Sequence, residues 1–291
     1  MDSIVTTPLP ERASVVVIGG GIIGISTLYH LAKLGVADAV LIERKQLGSG
    51  TTWHAAGIVG QLRDSSAQTE LAKYTARLFV ELEVETGQAT GYKQNGTINL
   101  ALTDVRMEQL RRSHDHAERM GIGSRLLSVE ELKECWPFID YDGVRGGFQV
   151  PSNGQVNPLD VTQALAKGAR QRGAVIAEGT KATRLLTKDG TVVGVETDRG
   201  VIATNKVLLA GGLWSHGFAR EHGVAVPLQA AEHVYILTEP VAGLPRDLPC
   251  LVIGEERAYW KEDAGKLLIG AFEAKAKPWG VDGIPESFSF D

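Results

Sequence analysis

The apolar positions of the first sixty residues change period twice. Residues 14–18 form a nearly unbroken apolar run of strand length, after which Ile22, Ile25, Leu28, Leu31, Ala32 and Leu34 recur at helical spacing until Gly35. A second run follows at 39–43. Unbroken apolar strands are those covered on both faces, so this order predicts a βαβ unit in a parallel sheet. Further along, 71–85 and 103–120 show helical spacing, the second with a strongly charged outer face. Ser128 and Glu131 form a capping box for a short helix that Pro137 ends. Asn153-Gly154 marks a tight turn, and 158–172 reads as a helix returning to the first unit.

The second half changes character. Residues 191–197 and 200–203 are rich in β-branched side chains and bounded by Asp189-Gly190 and Arg199-Gly200, which predicts antiparallel hairpin strands. Residues 206–212 give a further buried strand ending on two glycines. Residues 233–238 alternate as a strand, and 258–262 pairs with 266–271 across Asp263-Ala264-Gly265, so a second, antiparallel sheet is expected from 224–275. The interval 60–150 reads as mostly peripheral or cap structure. The predicted class is α/β, a Rossmann-like unit joined to an antiparallel-sheet unit.

Gly19-Gly20-Gly21-Ile22-Ile23-Gly24 links the first strand to its helix with G-x-G-x-x-G spacing, and Glu43 ends the next strand about 20 residues on. Such glycines make the turn, let the backbone approach a pyrophosphate and bring helix and strand together. Ile22 and Ile23 offer main-chain N–H groups at the helix start, and Glu43 suits a ribose hydroxyl. The glycine motif alone is weak, because glycine-rich turns are common; its strand, helix and acid flanks predict a dinucleotide site. A nicotinamide domain would typically continue in parallel βαβ units. The antiparallel segment inserted before the returning strand points to FAD.

Composition narrows the class. A chain of 291 residues with 43 % hydrophobic content supports a substantial core, and a net charge of −5 without a basic tract argues against nucleic acid. No apolar stretch is long enough to span a membrane, and Met1-Asp2-Ser3-Ile4-Val5 lacks signal-peptide features. Cys135 and Cys250 are far apart and read as reduced packing residues, which predicts a cytoplasmic protein. His114 and His116 do not share a helix face, so no metal site is expected. Arg63 suits a carboxylate, although arginines beside clefts often make only surface pairs.

Four strings carry a more specific resemblance. They are Gly50-Thr51-Thr52-Trp53-His54-Ala55-Ala56-Gly57, Leu71-Ala72-Lys73-Tyr74, Gly154-Gln155-Val156-Asn157-Pro158-Leu159-Asp160 and Val207-Leu208-Leu209-Ala210-Gly211-Gly212-Leu213-Trp214. With the N-terminal unit they resemble the FAD-dependent amine and amino-acid oxidoreductases related to D-amino-acid oxidase, and within them the sarcosine and dimethylglycine dehydrogenase branch. The likeness runs from about Ala13 onward.

The resemblance implies an FAD-binding Rossmann-like domain of the glutathione-reductase type from 13–60 and 150–222, and a cap and substrate domain from 61–149 and 223–291. It implies cofactor contacts at Gly19, Gly21, Ile22, Ile23, Gly24, Glu43, Arg44, Gly50, Thr51, Thr52, Trp53, His54, Ala55, Ala56, Gly57, Ile58, Ala182, Gly212 and Trp214. The flavin is expected to be covalent through a ring nitrogen of His54, whose unperturbed pKa near 6.5 leaves much of it neutral and nucleophilic. His233 and Tyr259 are expected near the bound amine, the imidazole to take a proton and the phenol to orient the substrate.

The implied activity is oxidation of an N-methylated amino acid such as sarcosine or dimethylglycine, with oxygen or an electron-transfer flavoprotein as acceptor. The rivals are a noncatalytic regulatory flavoprotein-like subunit and an oxidase of another substrate on the same fold. A closing segment that covers the flavin in the family is expected to be absent, since the chain stops at Asp291.

Overall fold

The computed structural model describes residues 7–286; the two ends, including the first five residues and the 287–291 tail discussed above, lie outside the described residues. The first half runs β1 (Val16–Ile18), α1 (Ile22–Lys33), β2 (Val40–Ile42), a 3₁₀ turn (Thr51–His54), β3 (Ile58–Val59), α2 (Ser66–Thr86), β4 (Thr97–Ala101), α3 (Asp104–Arg119), β5 (Arg125–Leu127), α4 (Val129–Cys135) and β6 (Gly146–Val150). It continues through β7 (Gly154–Gln155), α5 (Pro158–Gln171), β8 (Val175–Ala177), β9 (Ala182–Lys188), β10 (Thr191–Thr197), β11 (Gly200–Ala203), β12 (Val207–Leu209) and a second 3₁₀ turn (Gly212–Trp214). The last elements are α6 (Ser215–Glu221), β13 (Val234–Leu237), β14 (Cys250–Ile253), β15 (Ala258–Asp263) and β16 (Lys266–Ala271).

A parallel sheet of order β12-β1-β2-β8 is the centre of one three-layer stack. Alternation along its short strands divides the side chains between two cores. Val17, Leu41 and Ile176 pack on α1, α2 and α5, while Val16, Ile18, Val40 and Ile42 meet Val195 and Ile202 of the antiparallel meander β9-β10-β11. Covering on both faces is why β1 and β2 read as unbroken apolar runs. The turn at Asp189-Gly190 has positive φ at both residues, as a two-residue hairpin requires. α5 starts at Pro158 under an Asn157 cap that accepts from Leu159 and Asp160. β12 differs from its expectation: its residues are only partly buried, because it is an edge strand with β1 on one side.

The second sheet has the order β13-β16-β15-β14-β4-β6-β5. The sheet expected from 224–275 alone also takes in β4, β5 and β6 from the interval read as peripheral or cap structure. Ile98 and Leu100 of β4 are wholly buried and share a core with Leu132, Trp136 and Leu251. The sheet is antiparallel except where β14 runs parallel to β4. That joint connects the late strands to the early ones. No described helix is long and apolar enough to cross a membrane.

Glu262 of β15 is fully buried and ties the sheet's last hairpin down. Its Oε1 accepts from Gly265 N–H at 2.7 Å and from Arg246 Nη1 at 3.0 Å, and Lys93 Nζ lies 3.4 Å from Oε2. Burial alone would raise the carboxyl pKa, but these donors outweigh it and hold the group below the usual range. Arg246 and Lys93 are half or more exposed, so screening keeps the contribution modest.

Glu262→Gln is expected to cost about 1–2 kcal/mol at neutral pH. Because the folded-state pKa is depressed, that contribution is full above the unfolded value of about 4.3 and is lost as pH falls through the folded one. Thermal melts should therefore show a wild-type advantage at pH 7 that closes below about pH 4. A gap of constant size over that range would refute the account.

Candidate active site

The glycine loop acts by leaving out Cβ atoms. A Cβ at Gly24 would lie 1.9 Å from Gly19 O, and one at Gly19, where φ is +111°, would lie 2.4 Å from Ala210 O. Only glycine fits either place. α1 therefore begins hard against the ends of β1 and β12. Its N-cap, Gly21, supplies no capping side chain, so main-chain donors carry the helix start, and Ile22 N–H donates to Thr52 Oγ1 at 3.0 Å. Glu43 lies against the loop, accepting from Gly20 N–H at 2.7 Å and from Lys45 N–H at 2.8 Å. A side-chain-free loop, a helix start and an adjacent carboxylate form a cradle that fits the pyrophosphate and ribose of a dinucleotide.

Residues 50–58 continue from that cradle. The Trp53 and His54 rings lie 3.9 Å apart, and His54 Nδ1 is 3.0 Å from Gly50 O. A carbonyl only accepts, so Nδ1 carries the hydrogen and the lone pair of the neutral ring is on Nε2. Burial lowers the His54 pKa and the Gly50 carbonyl only partly opposes it, so the ring is neutral at pH 7. Ile22, Thr51, Thr52, Ala55, Gly57 and Ile58 line one side of a cavity of about 450 Å³. Phe79, Val156 and Val161 supply apolar wall, and Arg63 is its single charged lining residue. Arg63 thus has a larger place in the site than its surface-pair reading suggested.

The structure brings His233 and Tyr259 together: His233 Nε2 lies 3.2 Å from Tyr259 Oη. Tyr259 is 9 % exposed, and burial, reinforced by Tyr235, raises its phenol pKa and keeps the proton on. Phe272, one residue past β16, stacks on His233 with centroids 4.1 Å apart and planes 4° from parallel. The phenol lies across its cross-strand partner Gly270, where a Cβ would fall 2.1 Å from the ring. Residues two apart on a strand share a face, so Lys261 follows Tyr259 toward the 50–58 run. Its Nζ donates to Ala56 O at 2.7 Å.

Gly50, Arg44, Gly212 and Trp214 gather at one end of the run. The Arg44 guanidinium lies 3.9 Å from the Trp214 ring centroid, and a Cβ at Gly50 would meet the same indole at 3.5 Å. Gly212 takes φ +54° to begin the turn that carries Trp214. Ala182 stands apart, opening β9 opposite Thr197 and packed on the meander core. The last described residues are tied to the rest of the chain. Residues 277–279 bond to 230–232, and Pro285 O accepts from Trp214 Nε1 at 2.9 Å. Glu286 then meets Lys181 at 2.6 Å.

Sequence reasoning missed Lys261, Phe272 and Gly270. The period of two that placed Tyr259 would have placed Lys261 on the same face; the other two depend on cross-strand register. His114 turns to Ser124 at 2.8 Å, and among the described residues no group of His, Cys, Asp and Glu could hold a metal ion. Cys135 and Cys250 are both free, and burial pushes the Cys250 thiol up to about 12.

Similar proteins bear on this geometry. Over 280 residues the chain is 39 % identical to 4-methylaminobutanoate oxidase (formaldehyde-forming) of Paenarthrobacter nicotinovorans, covering 96 % of this chain and 34 % of the relative. It is 39 % identical to human mitochondrial sarcosine dehydrogenase, covering 97 % and 31 %, and 38 % identical to the mouse mitochondrial pyruvate dehydrogenase phosphatase regulatory subunit, covering 94 % and 32 %. The chain thus spans about a third of the length of these curated relatives. The crystal structure of L-proline dehydrogenase from P. horikoshii superposes with a TM-score of 0.84 at 27 % identity, over 92 % of this chain and 71 % of that one. Residues 14–289 match the DAO family, described as FAD dependent oxidoreductase. The chain belongs to that family of FAD-dependent oxidoreductases.

Proposed function

We propose that this chain is the FAD-binding and substrate-oxidising part of an enzyme acting on N-methylated amino acids, of which sarcosine and dimethylglycine are the simplest. The observation that carries the reading is the His233–Tyr259 pair, whose tyrosine is on β15 two residues before Lys261, which bonds to Ala56 of the 50–58 run. In this reading 13–60 with 150–222 holds FAD and 61–149 with 223–291 holds the substrate. The bound flavin supplies the hydride acceptor, and oxygen or an electron-transfer flavoprotein takes the electrons on. Similarity to a 4-methylaminobutanoate oxidase and a sarcosine dehydrogenase supports the substrate class.

The side chains have definite tasks in this reading. An ammonium has no lone pair to assist departure of hydride from the N-methyl carbon, so the amine must lose a proton first. His233 takes that proton while Tyr259, held as a neutral phenol, orients the amine through its hydroxyl. Arg63 offers the cavity a guanidinium for a carboxylate. We also assign covalent flavin attachment to His54 through Nε2, the nitrogen left with its lone pair when Nδ1 bonds to Gly50. A second reading, a flavoprotein-like regulatory subunit without turnover, is favoured by the likeness to the phosphatase subunit.

Anaerobic addition of sarcosine or dimethylglycine to the FAD-loaded protein is expected to bleach its flavin absorbance. FAD that stays oxidised with every N-methyl amino acid offered would overturn this substrate reading. For attachment, denaturing electrophoresis with in-gel flavin fluorescence should show a bright wild-type band and a dark one for His54→Ala. Because the His54 pKa is depressed, reconstitution with FAD should attach flavin at a nearly constant rate from about pH 8 to 7 and slow only in more acid solution. Dark bands for both proteins would end the covalent claim.

A further inference from the structure

Lys261 has no part in the chemistry just assigned, yet the way it is held is unusual for a lysine. It is 5 % exposed, and burying an ammonium is costly unless its donors are engaged. Its nearest carboxylate, Asp263, is 3.9 Å away and partly exposed, too far for a hydrogen bond. The strong contact is the 2.7 Å bond to Ala56 O. A strand that needed only packing at this position would be better served by an apolar side chain.

The acceptor is as telling as the donor. Ala56 lies in non-repetitive backbone between the 3₁₀ turn at Thr51–His54 and β3, where no ladder fixes the chain. Two successive carbonyls of this stretch are gripped from different sides: Ala56 O by Lys261 Nζ at 2.7 Å and Gly57 O by Val156 N–H at 2.8 Å. Gly57, with φ +76°, allows the second grip, because a Cβ there would lie 2.3 Å from Val156 O. Val156 belongs to the connection from β7 to α5, whereas Lys261 reaches in from the seven-stranded sheet. It does so from the same face of β15 that presents Tyr259.

We propose that Lys261 is a positioning residue: its bond to Ala56 sets the cofactor-bearing run at a fixed distance from the Tyr259–His233 pair, so that one strand registers substrate groups against cofactor groups. The inference rests on reading 50–58 as the flavin-side run. Hydride transfer is steep in distance, and a displacement of about 1 Å can cost on the order of a hundredfold in rate. Loss of the strut should therefore act on the chemical step more than on binding.

The test compares Lys261→Met and Lys261→Arg with wild type. In the full chain without added substrate, amide hydrogen exchange of peptides covering 51–60 should quicken by about tenfold in Lys261→Met while α1 is unchanged, a local opening. In stopped-flow reduction of the FAD-loaded protein by its amine, the limiting rate should fall by about 10- to 100-fold with substrate Kd within about threefold, and the pH profile should not move. Lys261→Arg, which keeps a charged donor, should recover most of both. Wild-type exchange at 51–60 together with a wild-type limiting rate in Lys261→Met would overturn the proposal. Should Lys261→Met fail to fold, Lys261→Gln is read by the same quantities: a rise in exchange confined to 51–60 supports the strut, and a uniform rise or none overturns it. If no amine reduces even the wild type, the substrate reading fails, and the exchange experiment still decides the role of Lys261.

Discussion

The contact on which the rest depends is the approach of α1 to β1 at Gly24. With 1.9 Å between a hypothetical Cβ and Gly19 O, the helix can start there only because position 24 has no side chain. That start brings Ile22 N–H to Thr52, which draws the 50–58 run against the helix. The run is gripped in turn at Gly57 by Val156 and at Ala56 by Lys261. Hydrogen bonds, two of them through the side chains of Thr52 and Lys261, thus lead from the glycine cradle to the sheet that carries Tyr259. Forcing a methyl group into the first of them would cost roughly 1–3 kcal/mol or move the helix, and every later contact would move with it.

The parts of this architecture that could be read from sequence are those governed by local rules. β1, α1 and β2 showed themselves through period and glycine punctuation, and the 189–190 and 264–265 turns through Asp189, Gly190 and Gly265, residues suited to tight turns. What sequence could not show is pairing at a distance. Ile98 and Leu100 sit in a five-residue strand with no turn signal tying it to β14, yet that parallel pairing makes 97–150 part of the second sheet. The partial exposure of β12 was hidden for the same reason. An apolar run looks alike in a central strand and at an edge.

The candidate site divides along the same line. The loop glycines and Glu43 are a motif with a fixed spacing, and the 50–58 run was identifiable by resemblance. The contact between His233 and Tyr259 arises only once β13, β16 and β15 are in register, because His233 leads into β13 while Tyr259 is on β15, with β16 between them. Phe272 and Gly270 enter through that register as well. Each is unremarkable in sequence: one an aromatic just after a strand, the other a glycine within one. Their significance comes from the ring each one faces.

Burial then sorts the charges of the site. Removing groups from water pushes acids up and bases down, so Tyr259 keeps its proton and His54 stays without its second one. Glu262 remains ionised on the opposite face of β15, where Gly265, Arg246 and Lys93 use up its oxygens. Glu43 is turned into the glycine loop by two main-chain donors. The cationic groups that face inward are Arg63 on the cavity wall and Lys261 on the run. Arg63 gives a mostly apolar cavity wall one cation, which under the proposed reading suits the carboxylate of the amino acid. Under the same reading, the mostly apolar lining adds a desolvation cost for an entering ammonium to the action of His233.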